Sequence, residues 1–285
     1  RPDEADELLQ SLTRQSFKDF EVIIVEDGSS VPCKDVAERY QNILDIHYYA
    51  KPNSGPGQTR NYGAERSRGE YLIILDSDCI LPEGYFAAVE EELQKAPADA
   101  FGGPDRAHVS FTDIQKAINY SMTSFFTTGG IRGGKKKMDK FYPRSFNMGV
   151  RREVYETLGG FSRMRFGEDI DFSIRIFKGG YACRLFPGAW VYHKRRTDLK
   201  KFFKQVHNSG IARINLYKKY PESLKTVHLL PAAFTLGVAV LLAGAPFCPY
   251  SLLPIALYAL LVCTDSALRN KSCLLYTSPS PRDTR

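Results

Sequence analysis

Two apolar runs constrain this chain more than any other feature. Val22-Ile23-Ile24-Val25 leads into Glu26-Asp27, and Tyr71-Leu72-Ile73-Ile74-Leu75 leads into Asp76-Ser77-Asp78. Neither run alternates polar with apolar residues, so each suits a strand covered on both faces, as in a parallel sheet. Helical patterns separate the strands. A helix is expected at about Ala5 to Gln15, another running to about Tyr40, and a third from about Thr59 to Ser67, with a short strand at Ile46 to Tyr49 between the last two. Strands alternating with helices give an α/β class with a mostly parallel, Rossmann-like sheet flanked by helices. Ligands of such sheets bind beyond the carboxyl ends of the strands, where both acidic clusters lie.

Charge and cysteine usage narrow the partners. The 285 residues carry 39 Lys and Arg against 32 Asp and Glu, a formal net charge of +7, which calls for an anionic partner such as a nucleotide or an acidic membrane surface. Cys33, Cys79, Cys183, Cys248, Cys263 and Cys273 form no C-x-x-C pair, which argues against a zinc site or a disulfide framework and for a reducing compartment. The chain opens at Arg1-Pro2 and enters a helical pattern at once, so it reads as a fragment.

Several motifs carry chemistry. In Asp76-Ser77-Asp78, side chains two apart on an extended chain point the same way, so both carboxylates could converge on Mg²⁺ or Mn²⁺. Such a cation would neutralise a diphosphate leaving group. A solvated turn explains most isolated D-x-D sequences, and here the preceding buried strand favours the metal. Glu168-Asp169-Ile170-Asp171 opens a helix, and Asp169 could deprotonate an acceptor hydroxyl; the electrostatic preference of carboxylates for helix starts would place them there in any case. Asp27-Gly28-Ser29-Ser30 could meet a nucleotide base or form an Asx-turn and cap. Arg60-Asn61 could meet phosphate. His193, in Trp190-Val191-Tyr192-His193-Lys194, is either a further metal or phosphate ligand or a structural histidine. Residues 127–140, with four glycines and a lysine run, read as a mobile surface loop.

The order of these motifs is more specific than any member. Strand-Glu-Asp-Gly-Ser-Ser, Asn-Ser-Gly-Pro-Gly-Gln-Thr-Arg-Asn, Gly-Glu-Tyr-Leu-Ile-Ile-Leu-Asp-Ser-Asp, Asn-Met-Gly-Val-Arg-Arg, Gly-Gly-Phe and Gly-Glu-Asp-Ile-Asp-Phe-Ser-Ile-Arg together resemble the family-2 glycosyltransferases, from Arg1 to about Arg213. The resemblance implies a GT-A fold, a nucleotide-diphosphate sugar donor and direct displacement with inversion at the anomeric carbon. It also implies roles. Asp27, with Gly28 and Ser29, would contact the base, Arg60 the nucleotide and Asp76 the ribose or sugar. Asp78 would hold the metal, Asp169 would be the catalytic base, and Glu168 and Asn147 would lie on the acceptor side. Gln205 to Arg213 looks like the family's post-catalytic helix. The family's opening strand and its Pro-x-Tyr-Asn turn would precede Arg1, and Glu26 stands where many members have Asp.

The C-terminal third changes character. Residues 194–225 hold ten Lys and Arg against Asp198 and Glu222, with Leu199, Phe202, Phe203 and Val206 at helical spacing. This is the pattern of a basic amphipathic helix at an anionic membrane surface. Residues 226–268 contain two long apolar segments separated by Pro246-Phe247-Cys248-Pro249, the second of which includes Asp265. They predict a membrane hairpin after a catalytic domain of residues 1–193. Basic residues at both outer ends place the catalytic domain on the cytoplasmic side of the cell membrane. Residues 269–285 read as a tail that resembles adapter read-through and is left out of the fold. The expected function is transfer to a glycan or lipid-linked acceptor; a sugar-phosphate nucleotidyltransferase and a non-catalytic nucleotide-sugar-binding membrane protein are the alternatives. Nucleic acid is not expected as a partner, because the basic cluster adjoins apolar segments.

Overall fold

The computed structural model describes residues 1–106, 108, 112–128, 141–194 and 196–269. Most of the loop expected at 127–140 and nearly all of the tail lie outside these residues. The described chain divides into two compact units. The first comprises residues 1–111, 137–194 and 203–216, and the second 112–136, 195–202 and 217–285.

The first unit begins with α1 (Pro2–Thr13), β1 (Glu21–Asp27), α2 (Lys34–Tyr40) and β2 (Asp45–Lys51). The strands β1 and β2 pair in parallel from Glu21 opposite Asp45 to Asp27 opposite Lys51, which sets Lys51 beside Asp27. Next come α3 (Pro56–Ala64), β3 (Tyr71–Leu75), β4 (Cys79–Ile80), α4 (Tyr85–Lys95), β5 (Ala100–Gly102) and β6 (Asp105–Arg106). In the second unit lie α5 (Asp113–Thr123) and α6 (Phe125–Thr128). The first unit resumes with β7 (Asn147–Arg151), α7 (Arg152–Thr157), α8 (Glu168–Lys178), β8 (Cys183–Leu185) and β9 (Val191–His193), and takes most of α9 (Leu199–Lys219).

The sheet is mixed rather than mostly parallel. A four-stranded sheet runs in the order β3-β7-β5-β8, with β7 antiparallel to both neighbours and β5 parallel to β8. A smaller sheet, β4-β9-β6, pairs Cys79 with His193. Packing at this strand is close: Phe101 and Phe186 stack at 4.5 Å, and a Cβ on Gly149 would meet the Phe101 ring at 2.1 Å. Only glycine lets β7 run through that position. Among the described residues β1 pairs only with β2 and β3 only with β7, so the two sheets remain separate.

The helix α8 forms for local reasons. Glu168, Asp169 and Asp171 sit in its first turn and Arg175 and Lys178 in its last, the arrangement its dipole favours. Phe172 and Ile176, four apart, are fully buried. Gly167, at φ +86°, begins the helix in a conformation that other residues rarely adopt.

The second unit contains the two apolar helices, α10 (Leu230–Gly244) and α11 (Leu253–Arg269). With their preceding 3₁₀ turns, Thr226–Gly244 and Pro249–Leu268 are long and apolar enough to cross a membrane, and no part of either span is buried inside the protein. Residues 112–128, which the sequence includes in the catalytic stretch 1–193, group with these helices in the second unit. Tyr120 and Ser124 donate hydroxyl hydrogen bonds to the Asp265 carboxylate at 2.6 and 2.9 Å, and Tyr258 donates to the Phe126 carbonyl at 3.0 Å. The acid inside the second apolar segment thus has polar partners from a distant stretch of chain.

Candidate functional site

The acidic ends of β1 and β3 do different work. Asp27 receives Lys51, the Ser54 amide at 2.8 Å and the Gly55 amide at 2.9 Å, while Asn53 donates to its carbonyl at 2.8 Å. Burial alone would raise its pKa, but these donors outweigh burial and hold it below the ordinary carboxylate range. The Asp27 carboxylate therefore pins the 51–55 loop against the end of β1. Gly28 follows at φ +71°, and a Cβ there would stand 3.0 Å from the Asn53 nitrogen. Ser29 bonds Glu26, which also accepts the Cys33 amide at 2.7 Å. Beside the loop lies a cleft of about 990 Å³, lined by Asp27, Lys51, Asn53, Arg163 and Arg165 among others.

Asp76 and Asp78 diverge. The alternation that would aim both at one cation requires an extended chain, and the chain turns at Ser77-Asp78, with the Cys79 amide donating to the Asp76 carbonyl at 3.1 Å. Asp76 accepts from Arg60 at 3.0 Å. Asp78, buried, instead faces His193, whose Nε2 lies 3.2 Å from its Oδ1. Asp78, Cys79 and His193 bring ligand atoms within 4.8 Å of one another, a group that does not include Asp76. Burial pushes the Cys79 thiol far up, so it stays protonated, and the donors suited to a hard cation are the Asp78 oxygens and a His193 nitrogen. His193 Nδ1 is buried without a hydrogen-bond partner among the described residues, and its ring stacks on Phe146 at 4.7 Å. A buried carboxylate oxygen 3.2 Å from an imidazole nitrogen, in a group whose ligand atoms lie within 4.8 Å of one another, fits a divalent-metal site.

Arg60 links the two halves. Its guanidinium donates to Asp76 and, at 2.8 Å, to Glu168. The next residue, Asn61, ties down the loop before α8. It accepts from Tyr155 Oη at 2.6 Å and the Phe161 amide at 2.8 Å, and donates to the Phe161 carbonyl at 2.9 Å. Arg175, paired with buried Asp171, holds the Leu158 and Gly160 carbonyls of the same loop at 2.6 Å each.

Asp169 is nearly enclosed at 6% exposure. Burial would raise its pKa, yet Arg144, whose Nε lies 2.6 Å from Oδ2, and the Ile170 amide at 2.8 Å reverse the shift and hold it down. Its neighbour Glu168 goes the other way: burial first and the Asp169 charge second raise it, against the pull of Arg60. The structure thus brings Arg60, Asp76, Glu168 and Asp169 into one linked group. It does not bring Asn147 there. Asn147 is 1% exposed, accepts from Tyr85 Oη at 2.6 Å and donates to the Ala189 carbonyl at 2.7 Å, so its polar atoms hold the core together. Sequence reasoning missed Lys51 and Arg144, which lie in a strand end and a Pro-Arg-Ser turn with no motif to mark them.

A family model described as glycosyl transferase family 2 matches residues 1–159. The chain belongs to this glycosyltransferase family. It is 27% identical to a probable glycosyltransferase, YdaM, of Bacillus subtilis over 65% of this chain and 46% of the relative. It is also 24% identical to the glycosyltransferase EpsJ of the same organism over 68% and 58%, respectively. The chain thus spans about half the length of these relatives. A third relative, 32% identical over 33% of this chain and 31% of its own length, is the GalNAc(5)-diNAcBac-PP-undecaprenol beta-1,3-glucosyltransferase of Campylobacter jejuni. Among solved structures, the mannosyltransferase PcManGT of Pyrobaculum calidifontis, in complex with GDP-Man and Mn²⁺, superposes with a TM-score of 0.58 at 18% identity, covering 94% of this chain and 77% of that one. The S. aureus TarS 1-349 complex with UDP-GlcNAc gives 0.52 at 18% identity over 76% and 69%. These likenesses show the GT-A fold of the family.

Proposed function

We propose that the protein is an inverting glycosyltransferase that moves a sugar from a nucleotide-diphosphate donor to a hydroxyl of a glycan or lipid-linked acceptor, with Asp169 as the base. The observation that carries this reading is the buried Asp169 carboxylate, held ionised by Arg144 beside a buried Glu168 that Arg60 couples to Asp76. A base for this reaction must be ionised before the acceptor arrives, and Arg144 keeps it so. In the reaction Asp169 takes the acceptor hydroxyl proton while that oxygen bonds the anomeric carbon from the face opposite the diphosphate. The bond from carbon to diphosphate oxygen breaks, and its electron pair leaves with the nucleotide.

The cleft beside Asp27 suits the nucleotide, with Lys51, Arg163 and Arg165 offering positive charge along its walls. The engaged state of Asp27 supports a role in shaping the loop under the base, with Gly28 giving the close approach. Asp76 would face the ribose or sugar, held by Arg60. Asp78 and His193 would hold a divalent cation, Mg²⁺ or Mn²⁺, which when bound neutralises charge on the departing diphosphate. The Mn²⁺ in the mannosyltransferase complex and the GDP-Man and UDP-GlcNAc in the two solved relatives support this assignment. A lipid-linked acceptor is supported by the Campylobacter relative's name and by the apolar spans Thr226–Gly244 and Pro249–Leu268. With both outer ends basic, the hairpin would sit in the cell membrane with the catalytic unit on the cytoplasmic side.

A donor screen on the full chain in detergent tests the reading. Asp169→Asn should leave nucleotide-sugar binding intact and lower transfer about 10²–10⁴-fold, the usual range for losing a general base. A folded Asp169→Asn protein with undiminished turnover would remove Asp169 from the role. Chelation should abolish transfer, and Mn²⁺ or Mg²⁺ should restore it; turnover that persists in chelator would remove the metal from the assignment of Asp78 and His193.

A further inference from the structure

A carboxylate in an apolar span needs polar company, because hydrocarbon supplies no hydrogen bonds. Asp265 finds it in the Tyr120 hydroxyl at 2.6 Å and the Ser124 hydroxyl at 2.9 Å, and Tyr120 Oη also lies 3.1 Å from the Val262 carbonyl. Asp265 stands three residues before Leu268, the end of the span that begins at Pro249. A second contact falls farther along the same span. Tyr258, near its middle, donates to the Phe126 carbonyl at 3.0 Å and sets its ring 5.1 Å from that of Phe234 on α10. The helix rises about 10 Å between Tyr258 and Asp265. From Tyr120 to Phe126 the chain therefore descends along α11, from one end of the span toward its middle.

The composition of this stretch suits that course. Asp113 and Lys116 stand in the opening turn of α5, and Ala117 to Thr128 contain no charged residue. The hydroxyls of Ser121, Thr123 and Thr127 each donate to a carbonyl three or four residues earlier, at 2.8, 2.8 and 3.1 Å. Polar side chains turned onto their own backbone are what a hydrocarbon surrounding requires. The Phe126 carbonyl, in a helix of only four residues, takes its partner from Tyr258. Phe125 and Phe126 are exposed, as are Leu257, Leu260 and Leu261 on α11.

We propose that residues 117–128 enter the bilayer as a third membrane segment, held against α11 by the hydrogen bonds to Asp265 and Tyr258, with Phe125 and Phe126 facing lipid acyl chains. The proposal rests on the membrane reading of α10 and α11 above and adds a stretch that composition alone does not mark. Twelve residues of helix reach about 18 Å, against a hydrocarbon core of about 30 Å, so the segment dips in without crossing. It enters at the face where Asp265 lies, which leaves Asp113 and Lys116 at the watery end of α5. Asp265 then serves as an anchor: the one acid of the hairpin is where the third segment fastens.

Depth-dependent fluorescence quenching on the full chain in phosphatidylcholine vesicles tests this. Trp190, the single tryptophan, is removed by Trp190→Phe, and a probe is then placed by Phe126→Trp, by Asp113→Trp, or by Leu260→Trp as a marker on α11. Lipid brominated midway along its acyl chains should quench Phe126→Trp at least about twofold, should quench Leu260→Trp likewise, and should spare Asp113→Trp. Asp265→Leu, which keeps the span apolar, should weaken the quenching of Phe126→Trp and leave that of Leu260→Trp unchanged. If Leu260→Trp is quenched while Phe126→Trp answers to aqueous iodide instead, the proposal is overturned and the hairpin stands. Protection of Phe126→Trp from both quenchers, as packing against a second copy of the chain would give, overturns it equally. No quenching at either position removes the hairpin and the proposal together. Undiminished quenching of Phe126→Trp in Asp265→Leu overturns the anchoring role of Asp265.

Discussion

Single residues decide how this site is charged. Asp169 is deeply buried, and burial by itself would raise its pKa; the depressed value belongs to Arg144 and the Ile170 amide. In Arg144→Gln the burial effect is left unopposed by that charge, so the Asp169 pKa rises. The acidic limb of the kcat/KM profile, which reports the free enzyme, should then move to higher pH, and an unmoved limb would separate Arg144 from the base. Stability follows the same sign. The pair contributes fully above the ordinary carboxylate pKa, about 3.9, and its contribution is lost as pH falls through the depressed folded value. Glu168 opposes it, because its raised pKa favours the folded state below the ordinary value and that benefit is lost as pH rises through the folded one. Asn147→Ala belongs at this scale too. It removes the acceptor of the fully buried Tyr85 hydroxyl, a loss of about 1–3 kcal/mol that denaturant unfolding would measure.

At the scale of elements, much of the architecture was legible in the sequence and the remainder turned on local geometry. The strands at Val22 and Tyr71, the helix opened by Glu168, and the acidic strand ends all follow from apolar runs and charge placement. Asp76-Ser77-Asp78 misled because its alternation argument holds only for a chain that stays extended, and this one turns at Ser77. Asn147 misled because a motif does not say which face of a strand is buried. The polar partners of Asp265 are Tyr120 and Ser124, 145 and 141 positions earlier in the chain, a separation that no window of sequence spans. The loop from Leu158 to Phe161 offers a sharper test of element geometry. Gly160 sits at φ +61°, and a Cβ there would meet Asn61 Oδ1 at 2.5 Å. Gly160→Ala should lose at least about 1 kcal/mol from the left-handed conformation alone. It should also loosen Asn61 and with it the seat of Arg60, so activity should fall more than stability.

At the scale of the whole molecule, the two units present different surfaces. The catalytic unit buries a continuous core from Leu9 to Val191, while α10 and α11 expose Phe234, Leu236, Val240 and Leu260. Such exposure is costly in water and suits hydrocarbon. The full chain should therefore remain in the membrane pellet through alkaline carbonate and leave it only with detergent; release by carbonate or salt would mean surface attachment through basic residues alone.

The separation of the β1–β2 pair from the four-stranded sheet has a consequence in time. The β1–β2 pair and the Asp27 loop join residues about 24 positions apart, a short span of chain to close. The sheet β3-β7-β5-β8 gathers residues from Tyr71 to Leu185, so its contacts close much longer loops. Local contacts form sooner than distant ones in a folding chain. The Asp27 end of the site should thus form while the chain is still largely open. The seat of Asp169 waits for the last strands to arrive, and pulse-labelled hydrogen exchange would record amides of Val22–Val25 protected before those of Met148–Val150.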